Sequence, residues 1–348
     1  MQPNEHLDRQ NTKLHSIRDS IPDRFYVKST KKALLWYTFD AIWYVISIAC
    51  ILSIPNVWLN ILFSFSAGSA VAAMFVWAHD AAHGALFSNR KLADTLGTIF
   101  MLPALNMYQM WVFGHNRLHH GFTSLTCLDT VWKPLTPLEY SKAGFVHKSV
   151  YRLERIPIFC ALHYLINIWW KGMVTFKPDE KHRYFIYGKI KVLAFVLLLG
   201  SLSYAVDGFT GFLFVVVVPF LVFNYYIALF VFLHHTNKDN PFFDSKENWS
   251  QSLGQLRCST TIRASILSEL LTHNILIHTP HHVDPRIPFY HLKGAYAGIK
   301  AQYGEYIVEK KLSFALITRT FRDCKLYDYS TQQWFTFSEG RKWLYKAG

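Results

Sequence analysis

Two long stretches of the chain contain no lysine or arginine, and both are dominated by apolar residues. The first lies between Lys32 and Arg90, and the second lies between Lys191 and Lys238. About 20 residues of helix cross the roughly 30 Å hydrocarbon layer of a bilayer, so each stretch is long enough for a hairpin of two membrane-spanning helices. The expected spans are the apolar runs 33–54, 59–78, 192–206 and 209–233.

The basic residues outside these runs predict the orientation of the chain. Of 36 lysines and arginines, 7 lie in residues 1–32, 11 in 133–191 and 15 after residue 233, whereas both hairpin tips carry none. Since cytoplasmic loops are enriched in Lys and Arg, we expect both termini and the middle loop to be cytoplasmic. The first 32 residues are polar and do not look like a cleaved signal peptide, so the first run is expected to direct insertion itself.

These patterns predict an all-α integral membrane protein with four transmembrane helices in two hairpins and a cytoplasmic, mostly helical cap. Two other apolar segments, 92–113 and 161–176, are expected to re-enter the membrane or lie at its surface, because Pro103 interrupts the first and Trp169-Trp170-Lys171 lies within the second. The expected regions are a cytoplasmic segment 1–32, a hairpin 33–78, a cytoplasmic or interfacial region 79–191, a hairpin 192–233 and a cytoplasmic region 234–348.

Composition argues against several other classes of protein. The apolar residues are clumped into runs and 17% of the chain is aromatic, which is not typical of disordered, collagen-like or nucleic-acid-binding sequences despite the net charge of +13. Five scattered cysteines without a CxxC pair favour a reducing compartment over a disulfide framework. Asp40 is the only ionisable residue in the first run, and such a residue lies near the end of a span or is functional.

The histidines form four groups, all on the predicted cytoplasmic face. A lone histidine is usually an ordinary polar residue. Spacings of three or four residues, however, put imidazoles on one side of a helix, where they can chelate a metal. The groups therefore predict a metal site, and nine histidines are enough for two ions with open positions. The candidate ligands are His79, His83, His115, His119, His120, His235, His278, His281 and His282.

The type of ligand leaves the metal open, because imidazole suits iron, copper, zinc and nickel. A site beside apolar spans suggests oxidation of a lipid chain by O2, for which a redox metal is needed and iron is the simplest choice. A metal transporter and a membrane b-type cytochrome are the alternatives of other classes. Both would need ligands inside the spans, where the sequence has almost no ionisable residue.

The motifs HDAAH, HNRLHH and HTPHH resemble the three histidine boxes of the membrane fatty acid desaturases. The resemblance covers residues 16–292 and is closest to the acyl-lipid omega-6 (delta-12) and omega-3 branch, including the segments SIRDSIPDRFYVKSTKKAL, FLHHT and THNILIHTPHHVDPRIPFYHL. It implies a di-iron centre, O2 as co-substrate, a membrane lipid or acyl chain as substrate, and electrons from an external carrier such as ferredoxin or cytochrome b5. No nucleic-acid partner is expected.

The resemblance also implies roles for residues beside the boxes. His235 matches the additional histidine ligand that the family has after the fourth span. Its neighbour His234 is expected to contact the ligands without binding the metal itself. Asp80, Asn116 and Asn274 are candidates for the same supporting role, although helix caps or surface polar residues are equally compatible with their positions. The tryptophans Trp77, Trp111 and Trp132 could line an acyl tunnel, but anchoring at the membrane interface is the commoner role of such residues.

Two departures from the family pattern concern the boxes themselves. The middle of box one reads Asp-Ala-Ala, and box two has three spacer residues where many relatives have two. Either spacing keeps the rings on one helix face, so metal binding should survive. A related hydroxylase, acetylenase or carotenoid-modifying oxygenase is therefore the alternative within the same chemistry. The sequence leaves open the double-bond position, the lipid headgroup, the electron donor and the role of residues 293–348.

Overall fold

The computed structural model describes residues 13–347, with side chains up to Tyr345. The first 12 residues of the predicted N-terminal segment and Gly348 lie outside the described residues. Most of the described chain is helical, as predicted. Three continuous helical stretches are long and apolar enough to cross a membrane: Thr30–Ser53 (α2), Val57–Ala82 (α3) and Phe185–His235.

The remaining helices are shorter and surround these three. They are Leu14–Asp19 (α1), Arg90–Met101 (α4), Tyr108–Trp111 (α5), Pro137–Lys142 (α6), Phe145–Glu154 (α7), Ala161–His163 (α8), Gln251–Arg257 (α11), Ile266–Leu271 (α12), His278–Val283 (α13), Leu292–Tyr303 (α14), Phe314–Asp323 (α15) and Phe337–Ala347 (α16). Wider, π-helical turns cover Val112–His119, Tyr164–Val174 and Leu213–Val217, and 3₁₀ turns cover Asp23–Tyr26, Pro157–Phe159, Glu180–His182, Phe289–His291 and Gly304–Tyr306.

The first apolar stretch forms a helical hairpin. Helix α2 ends at Ser53, and Asn56 then caps α3 by accepting hydrogen bonds from the backbone N–H groups of Trp58 and Leu59. The indole Nε1–H of Trp43 donates to Ser66 Oγ across the two helices over 2.9 Å. The break therefore lies between the two runs, where the sequence predicted it.

The second apolar stretch also folds back on itself. A straight helix of its 51 residues would be about 77 Å long, far more than one bilayer crossing requires. Instead, the backbone leaves the helical conformation at Asp207 and at Gly208, whose φ of +58° favours glycine. The residues on the two sides of this break then lie close together, since a Cβ on Gly211 would lie 2.3 Å from the Ser203 carbonyl oxygen. The break lies within Phe185–Phe212 (α9), and Val218–His235 (α10) follows it.

Helices α3 and α10 pack tightly against each other, and both lead towards the histidines. Gly68 makes the close approach possible, because a Cβ at this position would lie 2.5 Å from the Cβ of Val222. The last turns of α3 are buried from Trp77 to Ala82, and α10 is buried at His234 and His235. The packing of these two helices therefore fixes the positions of the first histidine motif and of His235.

Four short strands interrupt the otherwise helical C-terminal part, so the prediction of an all-α chain was wrong in this respect. Thr260–Arg263 (β1) pairs in parallel with Val308–Lys311 (β2), and Leu326–Asp328 (β3) pairs antiparallel with Gln333–Phe335 (β4). Strands of three or four residues are too short to give a recognisable alternation in sequence.

The two additional apolar segments are both irregular helices. Helix α4 ends at Met101, and the chain turns through Leu105, whose φ is +50°, before it becomes helical again at Tyr108. The interruption expected at Pro103 is therefore present. In the second segment, Trp169 is tied inward by a hydrogen bond from its Nε1–H to the Leu105 carbonyl. Contact of either segment with a membrane stays a prediction. All five cysteines are free.

Candidate metal centre

Eight of the nine candidate histidines converge in two groups. Within each group, one nitrogen of every ring lies within 4.8 Å of the corresponding nitrogens of the others. We call the groups cluster A and cluster B. Cluster A contains His79, His83, His115, His120 and His281, and cluster B contains His119, His235 and His282.

The spacing within cluster A fits ligands of a common ion. The Nε2 atom of His115 lies 2.8 Å from Nε2 of His79 and 3.1 Å from Nε2 of His120, which in turn lies 3.0 Å from Nε2 of His281. Two imidazole nitrogens bound at right angles to one ion, each at about 2.1 Å, would be about 3.0 Å apart. The rings are therefore placed where such an ion needs its ligands.

The ninth candidate, His278, lies against cluster B. Its Nε2 atom is 3.2 Å from Nε2 of His235 and 3.0 Å from Nε2 of His282. His234 is in neither cluster; its ring stacks on His278 at 3.9 Å between ring centroids. Both ring nitrogens of His234 are buried without a hydrogen-bond partner in the described part of the chain.

Hydrogen bonds at the far side of the rings decide which nitrogen faces cluster B. The Nδ1–H of His235 donates to the Cys258 carbonyl, and the Nδ1–H of His282 donates to Gln255 Oε1, each over 3.0 Å. The Nε2 atoms of both rings therefore carry lone pairs, and both point at His278 Nε2. A proton on His278 Nε2 can be donated to only one of these two lone pairs. A metal ion between the three rings can accept both, so these nitrogens suit a cation.

Carboxylates orient two further candidate ligands. The Nδ1–H of His119 donates to Asp129 Oδ2 over 3.0 Å, and the Nδ1–H of His79 donates to Asp80 Oδ1 over 3.1 Å. The carboxylates are held in turn by backbone N–H groups, from Ser124 for Asp129 and from Phe289 for Asp80. Partners of this kind fix the tautomer and orientation of a metal-binding histidine and make it a stronger ligand.

Gln255 joins the two clusters. Its side-chain oxygen accepts from His282 of cluster B, and its Nε2–H donates to the backbone carbonyl of His120 of cluster A over 2.5 Å. Gln255 is 1% exposed, so the link is shielded from water.

The backbone conformation of the second histidine motif places its histidines in both clusters. Residues Val112–His119 form a π-helical segment, and the His120 N–H donates to the His115 carbonyl five residues earlier. This wider turn accommodates the third spacer residue of the motif while keeping His115 and His120 together in cluster A. His119 points to cluster B, so the expectation that all three rings share one side of a regular helix was wrong.

Burial keeps most of the candidate ligands unprotonated. Burial lowers the pKa of these rings well below the usual value of an imidazole, and neighbouring imidazoles lower it further. The affected histidines outside the long apolar helices are His83, His115, His120, His278, His281 and His282. Neutral imidazole is the form that binds metals.

An apolar cavity of about 330 Å³ reaches the clusters from between α3 and α10. It extends from His79 to Ser69, ten residues earlier in α3, which corresponds to about 15 Å along the helix. Of the three tryptophans considered from the sequence, Trp111 lines the cavity. Trp77 and Trp132 are completely buried elsewhere, which suits neither a cavity wall nor an interface anchor.

Comparison with known proteins identifies the family. The family model described as "Fatty acid desaturase" matches residues 56–311, a segment that includes both clusters. The chain belongs to the fatty acid desaturase family. The resemblance noted from the histidine boxes is thereby confirmed, and with it the prediction of an oxidoreductase acting on fatty acyl chains.

Several relatives of this desaturase are named for the position at which they act. A chloroplastic omega-6 fatty acid desaturase of Brassica napus is 28% identical over 323 residues, covering 91% of this chain and 71% of the relative. The sn-1 oleoyl-lipid 12-desaturase of Picosynechococcus sp. is 28% identical over 346 residues, covering 95% and 94%. The sn-1 oleoyl-lipid 12-desaturase of Anabaena variabilis is 26% identical and covers 96% of both chains.

The three polar candidates for supporting the ligands lie in different surroundings in the desaturase. Asp80 contacts His79, as described above. Asn116 lies next to His115 and donates to the Ala82 carbonyl over 2.9 Å, while its side-chain oxygen is buried without a partner in the described chain. Asn274 donates to the Phe289 carbonyl over 3.3 Å, and its side chain has no hydrogen bond to a histidine of either cluster in the described part of the chain. Their involvement in catalysis stays a prediction.

Sequence reasoning missed Asp129 and Gln255. Asp129 lies ten residues after His119 in an irregular segment, and Gln255 is 27 residues before His282. Neither residue stands at a helical spacing from its histidine, so no local pattern connects them.

Proposed function

We propose that this desaturase holds two iron ions, one in each cluster, and introduces a double bond into the acyl chain of a membrane lipid using O2. The observation that carries the proposal is the convergence of two histidine clusters, buried except for the half-buried His83 and His115, at the end of an apolar cavity. The proposed ligands are the nine histidines predicted from the sequence, with His278 beside cluster B.

The protein's own contribution is orientation and the exclusion of water. When bound, the irons would supply the O2-dependent oxidation of carbon–hydrogen bonds. Asp129, Asp80 and Gln255 would hold their histidines with Nε2 towards the ions. The walls of α3 and α10 would align the acyl chain, so that contacts along the chain determine which carbons react.

An acyl lipid with a delta-12 or omega-6 reaction position is the proposed substrate. The names of the relatives support this choice, because they include omega-6 desaturases and oleoyl-lipid 12-desaturases that match nearly the whole chain. A hydroxylase, an acetylenase or a carotenoid-modifying oxygenase with a similar centre is the alternative that the product would reveal.

Four spans with both termini in the cytoplasm form the proposed membrane arrangement. The first hairpin and the reversal of the second stretch at Asp207–Gly208 support the number of spans. The distribution of Lys and Arg supports the orientation. Both clusters follow the cytoplasmic ends of the hairpins in this arrangement, where an external carrier, ferredoxin or cytochrome b5, would deliver electrons.

Analysis of total fatty acids tests the proposal. The chain is expressed with a ferredoxin or cytochrome b5 system, and double bonds are located by mass spectrometry. We expect a new species unsaturated at the delta-12 position, absent from a His119→Ala variant and present in a His182→Ala variant, whose histidine lies outside both clusters. A hydroxylated or triple-bonded product would contradict desaturation and indicate one of the alternative oxidations.

A further inference from the structure

A second, open pocket of about 710 Å³ lies just beyond the end of α10. Its first lining residues, Asn237 and Lys238, follow His235 by two and three residues. Three residues of chain span at most about 11 Å, so the pocket begins close to cluster B. Five cationic and two acidic side chains line it: Lys238, Lys310, Lys311, Arg319 and Arg322, with Asp239 and Asp323.

The two acids are already paired within the pocket. Asp239 accepts from Lys310 over 2.6 Å, and Asp323 lies 3.2 Å from Lys238 and 2.7 Å from Arg322. The acidic side chains therefore neutralise part of the positive lining and leave an excess of positive charge.

Lys311 and Arg319 are the two cationic residues of this lining that pair with neither acid. Both line the pocket and are exposed, and neither has an ion pair with a carboxylate anywhere in residues 13–345. An anion in the pocket could receive charge-assisted hydrogen bonds from both without displacing an existing partner.

The basic pocket and the apolar cavity share a wall that is one residue thick. Leu312 lines the apolar cavity, while its neighbours in sequence, Lys311 and Ser313, line the basic pocket. Adjacent Cα atoms are 3.8 Å apart, so the two spaces lie side by side at the end of β2. The Leu312 N–H donates to the Arg263 carbonyl over 2.8 Å, which fixes this wall to β1.

Exposed apolar side chains flank this wall on neighbouring elements. Phe314, next to Ser313, is 80% exposed, and on α12 Ile266 and Leu267 are 82% and 64% exposed. The opposite side of the same short helix contributes Ser268 and Leu271 to the apolar cavity. Exposed aliphatic and aromatic residues beside lysines and arginines are typical of a surface at the level of lipid headgroups.

We propose that the basic pocket binds the anionic phosphate headgroup of the lipid substrate while the acyl chain of the same molecule occupies the apolar cavity. This assignment rests on the proposed function and adds the substrate class to it. The substrate is an anionic glycerophospholipid, and Lys311 and Arg319 recognise its phosphate. A glycolipid with an uncharged sugar headgroup makes no such contact.

The test compares two lipids with the same acyl chains and different headgroups. The full chain is reconstituted with reduced ferredoxin in vesicles that contain either dioleoyl phosphatidylglycerol or dioleoyl monogalactosyl diacylglycerol. We expect Lys311→Gln/Arg319→Gln to lower kcat/KM for phosphatidylglycerol by about 10- to 100-fold, the effect of losing a hydrogen bond to a charged group. Turnover of the galactolipid should stay unchanged. The matched control, Lys91→Gln/Lys142→Gln, removes the same charge from exposed lysines outside the pocket.

Several results would overturn the assignment. An equal loss with both lipids would do so, as would a loss that an excess of ferredoxin restores, because the pocket would then serve the acidic electron donor. Inhibition of phosphatidylglycerol turnover by inorganic phosphate at the concentration of the lipid would also overturn it, because the pocket would then bind free phosphate.

Failure of the proposed function gives a different result. If the unmodified chain desaturates neither lipid, native mass spectrometry still tests the pocket by its retention of phosphatidylglycerol. Weaker retention by the double variant than by the control supports the headgroup site, and equal retention contradicts it.

Discussion

His273 donates its Nε2–H to Oδ2 of Asp40 over 2.7 Å, and this bond joins α2 to the segment that leads into the third histidine motif. Both side chains are 1% exposed. His273 and Asn274 both have positive φ, 50° and 57°, and strained residues of this kind persist only where their surroundings hold them. The Asp40–His273 bond therefore fixes the turn that precedes His278.

Removing Asp40 should destabilise the protein strongly. We expect Asp40→Ala to cost about 3–5 kcal/mol, because it leaves a buried imidazole without its partner. The double variant Asp40→Ala/His273→Ala should cost less than the sum of the single variants. Unfolding of the purified protein in detergent measures these differences.

Asp94 provides the matched control for this prediction. Its carboxylate accepts from Tyr108 and pairs with Arg90, but its side chain is 32% exposed. Asp94→Ala should cost about 1 kcal/mol or less. Equal effects of the Asp40 and Asp94 variants would contradict a structural role for the buried pair.

Loss of the Asp129 carboxylate should weaken cluster B selectively. Asp129→Asn removes the charge that orients His119, and we expect metal affinity at cluster B to fall by about 10- to 100-fold while cluster A stays occupied. Metal content after dialysis against a graded series of chelator concentrations measures the change. Asp179→Asn is the control, because Asp179 pairs with His182 over 2.6 Å at the surface, away from both clusters. Release of both ions together would contradict separate clusters.

The parts of the fold predicted from sequence are those fixed by local composition. A charge-free apolar run specifies a long helix wherever it lies, and the breaks at Pro55 and at Asp207-Gly208 are visible in the sequence itself. The candidate metal site was predictable because each histidine motif is local. Asp40 also stood out, since an ionisable residue within an apolar run is unusual.

The features that the sequence did not predict depend on contacts between residues that are distant along the chain. The partner of Asp40 is 233 residues away, and the contact of Gln255 with His120 spans 135 residues. The division of His119 and His120 between two clusters follows from the π-helical turn, which the motif alone does not specify. The short strands likewise form through pairing of β1 with residues 308–311 and not through local preference.

Filling the apolar cavity should impair turnover without removing metal. Ala73 is buried and lines the cavity, so Ala73→Leu would occupy part of the space proposed for the acyl chain. We expect the rate to fall by about 10²-fold, because small displacements from reactive geometry have effects of this size. Iron content should remain that of the unmodified chain.

The control for the cavity prediction is Ala205→Leu, at an exposed position of α9 outside the cavity. Its turnover should match that of the unmodified chain. Full activity of the Ala73→Leu variant would show that the substrate does not occupy this space.

A reporter inserted between Asp207 and Gly208 should lie outside the cytoplasm. The same reporter between Lys142 and Ala143, in the middle loop, should lie in the cytoplasm, because the lysine- and arginine-rich loops are retained there. Fusion to alkaline phosphatase and to a fluorescent protein distinguishes the two sides. A cytoplasmic signal at Asp207–Gly208 would contradict the four-span arrangement.

Elemental analysis of the purified protein tests the central claim most directly. Clusters A and B predict two iron ions per chain. His281→Ala should lose the ion of cluster A, and His282→Ala should lose that of cluster B, so that each variant retains one ion. A single ion in the unmodified chain, zinc in place of iron, or two ions in both variants would contradict the assignment of one iron to each cluster.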